Sequence, residues 1–327
     1  MKRKKQTLLK ALFAFVALIL VLGIVYSGLQ IMELTVFYGQ EREFEVKTKT
    51  ITRDGVKYFP RQDIDVILLM GINQAGPVHP EEPNHGNAVD MLALLVIDEK
   101  AEHWNILNLN RDAMVDMPML DTEGKEIGVG SAQLSYAHTF GTGMADSCEN
   151  TRKTVSNLLG GITIDYYISM NVEAIAMLND AVGGVTVDVV DDFSRVDPSL
   201  PKGTVTLTGS QARSFVQSRW NVGDELNLSR IERQKQYMSS FVESFKKTMG
   251  TSDTQFVLNT YNDVAPYLIS DLPVNTLTGM VERYIDYPLA EVYSLEGENK
   301  VVNNYQEFYI DKDNLEDLRL KLFYAPK

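Results

Sequence analysis

Three mainly apolar runs constrain this chain more than any other feature of its sequence. They cover Ile64 to Ile72, Met91 to Ile97 and His103 to Leu109. Such runs are typical of strands buried on both faces of a sheet, because a strand with one solvated face alternates apolar and polar residues. Further strands are predicted at Ile164–Met170, Val185–Val190 and Glu307–Ile310, and helices at Met144–Leu159, Val172–Val182, Thr208–Gln217, Ser229–Thr248 and Asn314–Leu322. This alternation predicts an α/β fold: a three-layer α/β/α core around a mixed central sheet.

The N-terminus has the composition of a membrane anchor. Five of the first ten residues are basic, and residues 11–29 carry no charge. An apolar run of about 19 residues can cross the hydrocarbon layer, and the basic cluster favours a cytoplasmic N-terminus. A cleaved signal peptide is the alternative, but its apolar region is usually only about 7–15 residues and ends at small residues. The sequence therefore predicts a single-pass protein of the cell membrane whose main domain is extracellular.

The rest of the chain divides by composition. We predict a cytoplasmic tail at 1–10, a transmembrane anchor at 11–32, a stalk or small accessory segment at 33–61, a ligand-binding core at 62–249 and a C-terminal extension packed on the core at 250–327. Within the stalk, Asp54–Gly55 is a plausible hairpin turn.

Charge and cysteine content exclude several functions. The chain has a formal net charge of −13, although its N-terminal tail is basic. An acidic extracellular domain is a poor partner for nucleic acid, which binds clustered Lys and Arg. The single cysteine, Cys148, permits no intrachain disulfide, and a small buried apolar residue is a simpler interpretation of it than a nucleophile.

The first candidate site lies where the third apolar run ends. Arg111 and Asp112 follow that strand, and open α/β sheets place ligand groups at strand ends. A surface salt bridge is the alternative. Asp90 precedes the second strand, where a turn residue is the commoner interpretation. With a second carboxylate nearby, Asp90 would suit Mg²⁺, which prefers oxygen ligands and accompanies phosphates.

A second candidate site lies about 120 residues further on. Arg230, Arg233 and Gln234 share one face of a predicted helix that Ser229 begins with a capping box to Glu232, and Arg219 precedes them. Basic residues at a helix N-terminus oppose the helix dipole unless an anion binds there. The alternative is neutralisation by Glu232 and Asp224 on a solvated surface. If Arg111 and this second set converge, they would form a site for a pyrophosphate.

At this point the motifs resemble the LytR-CpsA-Psr family of membrane-anchored cell-wall phosphotransferases. The resemblance covers about residues 62–245 and keeps motif order. The segments that carry it are Ile67–Ile72, Asp90–Leu92, Asn110–Asp112, Ser135–His138, Leu159–Tyr167, Asp180–Val187, Phe215–Arg219 and Arg230–Gln234.

The resemblance implies transfer of a glycosyl phosphate from a polyprenyl-pyrophosphate-linked glycopolymer, of the teichoic acid or capsule type, to peptidoglycan outside the membrane. Carried over residue by residue, Arg111, Arg219, Arg230, Arg233 and Gln234 would hold the pyrophosphate, and Asp90 would bind Mg²⁺. Asp112 would either orient Arg111 or help to deprotonate the acceptor.

The chain departs from the family pattern at several charged positions. Asn73 stands where the family has Asp, which leaves only a weak metal ligand, Ala88 replaces Arg, and Gln217 replaces the first arginine of a pair. The alternative to an active transferase is therefore a degenerate relative that binds lipid-linked glycan or scaffolds wall assembly without turnover.

Overall fold

The structure is a computed structural model that describes residues 50–326, apart from residues 83, 85, 122, 226, 250–259, 261–262, 274–275, 277–279, 281–282, 285–286 and 303–304. The predicted anchor at 11–32 and most of the predicted stalk lie outside this range. Within the range, no helix is long and apolar enough to cross a bilayer.

The secondary structure of the described residues follows the predicted alternation. The strands are β1 (Ile51–Arg53), β2 (Val56–Pro60), β3 (Ile64–Ile72), β4 (Val89–Asp98), β5 (His103–Leu109), β6 (Met114–Leu120), β7 (Glu126–Gln133), β8 (Tyr166–Asn171), β9 (Val185–Val189), β10 (Gly203–Leu207), β11 (Leu268–Ser270), β12 (Leu289–Ser294), β13 (Gly297–Val302), β14 (Tyr305–Ile310) and β15 (Tyr324–Pro326). The helices are α1 (Met144–Leu158), α2 (Val172–Ala181), α3 (Gly209–Gln217), α4 (Asn227–Met249) and α5 (Lys312–Phe323), with 3-10 turns at Leu134–Thr139 and Ala265–Tyr267.

A six-stranded mixed sheet forms the centre of the fold. Its strand order is β11-β8-β3-β4-β5-β12. Strands β3, β4 and β5 are antiparallel neighbours, and β12 runs parallel to β5. The middle of β4 is buried on both faces, as the uninterrupted apolar run predicted. The predicted mixed α/β fold is confirmed.

The chain forms two compact units, which we call the helical unit and the strand-rich unit. The helical unit comprises residues 73–78 and 170–287 and holds α2, α3, α4 and the β9–β10 hairpin. Its core includes Phe193 and Phe215, whose stacked rings lie 5.9 Å apart. The described part of the strand-rich unit comprises residues 50–72, 79–169 and 288–326. It holds β3, β4, β5, α1, α5 and the hairpins β6–β7 and β13–β14.

Helix starts show where local sequence signals were reliable. Thr208 caps α3 in a capping box with Gln211, and the Asp311 side chain accepts from the backbone N–H groups of Asp313 and Asn314 to cap α5. The capping box predicted at Ser229 is wrong, because α4 begins earlier, at Asn227. The Ser229 hydroxyl instead donates to Asp224 Oδ1 at 2.6 Å.

The structure adds hairpins that the sequence patterns did not indicate. Strands β6 and β7 pair with each other, as do β13 and β14. The predicted Asp54–Gly55 turn does join β1 to β2, and both turn residues have positive φ. Strand β2 also pairs with β15, so the β1–β2 hairpin and β15 form one three-stranded sheet.

Candidate active site

Arg111 and Asp90 meet at one edge of the central sheet. Strands β4 and β5 are antiparallel and pair Leu92 with Leu109, which places the start of β4 beside the end of β5. Asp90 is the extra residue of a β-bulge, because Gly71 pairs with Met91 while Ile72 pairs with Val89. Bulges often re-aim a side chain beside an active site. Arg111 Nη1 donates to Asp90 Oδ1, and both side chains remain about one-fifth exposed, at 19% and 20%.

Asp112 is the second carboxylate at Arg111. Its Oδ1 lies 3.6 Å from Arg111 Nε, and its side chain is only 4% exposed. The Asp112 backbone is fixed on both sides, since its N–H donates to Asn110 Oδ1 at 3.0 Å and its carbonyl accepts from Phe308 N–H at 2.8 Å. Arg111 is therefore a half-buried cation placed by two carboxylates, an arrangement that holds its guanidinium ready for an anion.

The loop that leads into Asp90 is fastened by a buried histidine that sequence reasoning missed. His138 Nδ1 lies 3.1 Å from the carbonyl oxygen of Asn87, and the Asn84 amide donates to the His138 carbonyl. His138 Nε2 lies 3.6 Å from the Sγ atom of Cys148, which is buried as predicted. Burial lowers the pKa of His138 to about 4, so the ring is neutral near pH 7. The only sequence signal was its position, directly after the Ser135–Tyr136–Ala137 segment.

In the helical unit, α4 caps the end of α3. The last carbonyls of a helix have no partner within the helix. Arg233 Nε donates to the Phe215 carbonyl at 3.1 Å, and Gln234 Nε2 donates to the Val216 carbonyl at 3.0 Å. Arg233 also donates to the Ser218 carbonyl and to Asp191 Oδ2, the latter at 2.5 Å. Both side chains thus hold α3 in place, a role that depends on helix packing.

Arg233 is a buried cation with a defined counterion. Burial lowers the pKa of Arg233, and the neighbouring Asp191 carboxylate opposes that shift. Three of its five N–H groups serve the protein contacts above. Contact of Arg233 and Gln234 with a pyrophosphate therefore stays a prediction, and the protein contacts are their demonstrated role.

Arg230 and Arg219 are close in sequence to the residues that join α4 to the end of α3. Arg230 lies on α4 and is 3% exposed. Arg219 follows α3, and its guanidinium carbon lies 4.4 Å from the centre of the Trp220 ring. The predicted convergence of Arg111 with Arg219 and Arg230 on one anion also stays a prediction.

Two of the positions that depart from the family pattern contact each other. Gln217 Nε2 donates to Asn73 Oδ1 at 2.7 Å, across 144 residues of sequence. Gln217 Oε1 accepts from Arg213 Nε at 3.2 Å, and Arg213 pairs more loosely with Glu173 at 3.8 Å. A neutral amide pair thus stands where the family pattern has an acid and an arginine. The two departures contact each other and carry no charge.

The fit of Mg²⁺ to these residues follows from their donor chemistry. Among the described residues, no group of three His, Cys, Asp or Glu could hold a metal. Arg111 already pairs with Asp90, and Asn73 Oδ1 already accepts from Gln217. Mg²⁺ often binds through one or two carboxylates, several waters and substrate phosphates. Asp90 therefore fits a Mg²⁺ ion that arrives with a diphosphate, rather than one held by protein ligands alone.

Comparisons with known proteins identify the family of this chain. The model of the LytR_cpsA_psr family matches residues 33–323. The polyisoprenyl-teichoic acid–peptidoglycan teichoic acid transferase TagU of Halalkalibacterium halodurans is 25% identical over 272 residues, covering 82% of this chain and 81% of the relative. TagU of Bacillus subtilis is 25% identical over 280 residues, covering 84% of this chain and 82% of the relative.

Solved structures share the fold. A structure of TagT bound to LI-WTA superposes with a TM-score of 0.59 at 22% identity, covering 80% of this chain and 90% of that one. Protein gbs0355 from Streptococcus agalactiae gives a TM-score of 0.65 at 20% identity, covering 80% of this chain and 86% of that one.

Proposed function

The chain belongs to the LytR-CpsA-Psr family, and from that membership we propose that it transfers a glycosyl phosphate from a polyprenyl-pyrophosphate-linked glycopolymer to peptidoglycan. The curated relatives named above are transferases of teichoic acid, which makes a teichoic acid type of polymer the first donor to test and a capsule type the second. The observation that carries the proposal is Arg111, fixed between two carboxylates at the sheet edge.

The chemistry needs positioning and charge neutralisation more than covalent catalysis. An acceptor hydroxyl forms a new P–O bond to the phosphorus that carries the glycan. The P–O bond to the lipid-bound phosphate breaks, polyprenyl monophosphate leaves, and the hydroxyl proton passes to a base. Charge builds on the phosphoryl oxygens during this step, and preorganised cations lower its barrier. In the proposal, Arg111, Arg219, Arg230, Arg233 and Gln234 hold the diphosphate oxygens.

Asp90 and Asp112 have different proposed roles. Asp112 is nearly buried and lies beside Arg111 Nε, which favours orienting that guanidinium over exchanging protons with the acceptor. Asp90 would hold a bound Mg²⁺, and Asn73 would be at most a weak further ligand. When bound, the metal would supply further positive charge at the diphosphate.

Membrane attachment belongs to the same proposal. The uncharged run at 11–29, preceded by basic residues, supports a single-pass anchor that places the main domain at the outer face of the membrane. A lipid-linked donor and a wall acceptor would both be available there.

The mixed central sheet is confirmed, and we further propose that the core has a three-layer α/β/α arrangement.

The test is a transfer assay on the full chain in detergent. The substrates are a polyprenyl-diphosphate-linked teichoic acid precursor and peptidoglycan oligomers, with and without Mg²⁺. We expect one polyprenyl monophosphate released for each glycan joined to peptidoglycan through a phosphodiester. Hydrolysis without coupling, or no release at all, would refute the proposed transfer.

The neutral pair formed by Asn73 and Gln217 favours a second candidate function. A relative that has lost an acid and an arginine could retain the donor without turning it over. In that case the protein binds the lipid-linked glycan tightly in the same assay while monophosphate release stays at the level of the protein-free control.

A further inference from the structure

An exposed tryptophan stands beside one of the proposed phosphate-binding arginines. The chain has two tryptophans, Trp104 and Trp220. Trp104 is partly buried in β5, whereas Trp220 is 59% exposed in the loop between α3 and α4. The Arg219 guanidinium lies over the Trp220 ring, at 4.4 Å from its centre. This cation–π contact fixes the plane of the indole relative to the arginine.

The backbone around Trp220 has an uncommon conformation. Within residues 218–225, which we call the tryptophan loop, Asn221, Gly223 and Glu225 have φ values of +59°, +57° and +60°. Non-glycine residues rarely adopt this region, and such conformations cluster at binding and catalytic sites. Glu225 is the more informative case, since Asn tolerates positive φ better than most residues.

The tryptophan loop is also firmly attached to the protein. Val222 is 1% exposed, so the chain enters the core two residues after Trp220. The Asn221 N–H donates to Glu225 Oε1 at 3.0 Å, and the Ser218 carbonyl accepts from Arg233. At Gly223, a Cβ atom would lie 2.7 Å from Asp191 Oδ1, so the loop fits closely against its neighbour. The tryptophan loop is therefore fixed to the protein while the Trp220 side chain stays exposed to solvent.

We propose that Trp220 stacks on the first sugar of the lipid-linked donor and helps to select which glycan the site accepts. This inference rests on the proposed function. That sugar is bonded directly to the diphosphate. If Arg219 binds the diphosphate, the Trp220 ring that contacts Arg219 is close enough to contact the sugar. Sugar rings present faces of C–H groups, which pack against the π-face of an aromatic ring. Arg219 would bind the phosphate while Trp220 binds the adjoining sugar.

The test compares two probes, a polyprenyl diphosphate that bears one N-acetylhexosamine and the same lipid diphosphate without sugar. Affinities are measured for the full chain in detergent and for Trp220→Ala, Trp220→Phe and Tyr305→Ala. Tyr305 is 64% exposed on β14 and serves as the matched surface control. Trp220→Ala should weaken binding of the sugar-bearing probe about tenfold, the loss of one good stacking partner, and change the sugar-free probe less than about twofold. Trp220→Phe should recover most of the lost affinity, and Tyr305→Ala should match wild type.

The outcomes separate this inference from the proposed function. If Trp220→Ala weakens both probes equally, Trp220 only braces Arg219 and the inference fails. It also fails if Trp220→Ala binds both probes as wild type does. If wild-type protein binds neither probe, the proposed function fails, and this inference fails with it.

Discussion

Arg111 and Arg233 were both predicted to bind the pyrophosphate, and they occupy contrasting environments. Arg111 is about one-fifth exposed and is flanked by the side chains of Asp90 and Asp112. Arg233 is buried, and it donates hydrogen bonds to Asp191 and to two backbone carbonyls. Side-chain carboxylates can move when an anion arrives, whereas backbone carbonyls cannot leave without disturbing α3. For these two arginines, exposure and partner type therefore separate a cation available for chemistry from one that mainly holds the fold.

The largest effect on stability should come from removing the buried cation. Arg233→Met leaves Asp191 and the Phe215 and Ser218 carbonyls without their donor, and breaking a buried pair costs about 3–5 kcal/mol. Urea unfolding would measure this loss. The matched control is Lys235→Met, which removes a more exposed ion pair with Glu232 and should change stability by less than about 1 kcal/mol. Equal effects of the two variants would contradict the role of Arg233 in holding the fold.

The loop before Asp90 offers a pH test on the Arg111 side. The pKa of His138 is about 4 in the folded protein, below the value of about 6.5 for an unperturbed histidine. Above pH 6.5 both folded and unfolded states are neutral at this ring. As pH falls from about 6.5 to 4, only the unfolded state gains a proton, so His138 alone should lower the free energy of unfolding by about 3 kcal/mol in total.

Urea unfolding across that pH range would reveal the His138 contribution. In His138→Gln the stability curve should lose this slope, even if the variant is less stable at every pH. A variant whose stability falls as steeply as wild type over the same range would show that His138 is not buried in its neutral form.

The smallest effect should come from the amide pair. Asn73→Asp and Gln217→Arg, made singly and together, form a double-mutant cycle. Asn73 is exposed, so the ion pair in the double variant should give a favourable coupling of less than about 1 kcal/mol. Additive effects would mean that the two side chains do not interact in solution.

The central sheet was predictable because burial on both faces leaves a simple signal. The predicted strand Ile64–Ile72 matches β3, and β5 also matches its prediction. The β6–β7 hairpin was missed, since its two strands contain Asp116, Pro118 and two glycines and have no regular alternation. At Ser229 the local pattern was satisfied, but the hydroxyl donates to Asp224, five residues earlier in the chain, instead of capping the helix.

The candidate site was only partly predictable. The neighbourhood of Asp90 and Arg111 follows from two strand ends in an antiparallel sheet, although the bulge that isolates Asp90 has no sequence signature. The capping of α3 by Arg233 and Gln234 depends on how two helices pack, which their own sequence does not encode. The Asn73–Gln217 contact and the burial of His138 depend on long-range neighbours in the same way.

Arg111 is the residue on which the proposed transfer depends most, and turnover per folded molecule tests its role directly. Monophosphate release and glycan coupling would be measured for wild type, Arg111→Lys and Arg111→Ala at equal folded concentration, with urea midpoints as the check on folding. Arg111→Ala should lose at least about a hundredfold in turnover with little change in midpoint, and Arg111→Lys should recover part of the rate because it keeps the charge but not the planar fork. Wild-type turnover in folded Arg111→Ala would contradict the assignment of this arginine to the reacting diphosphate.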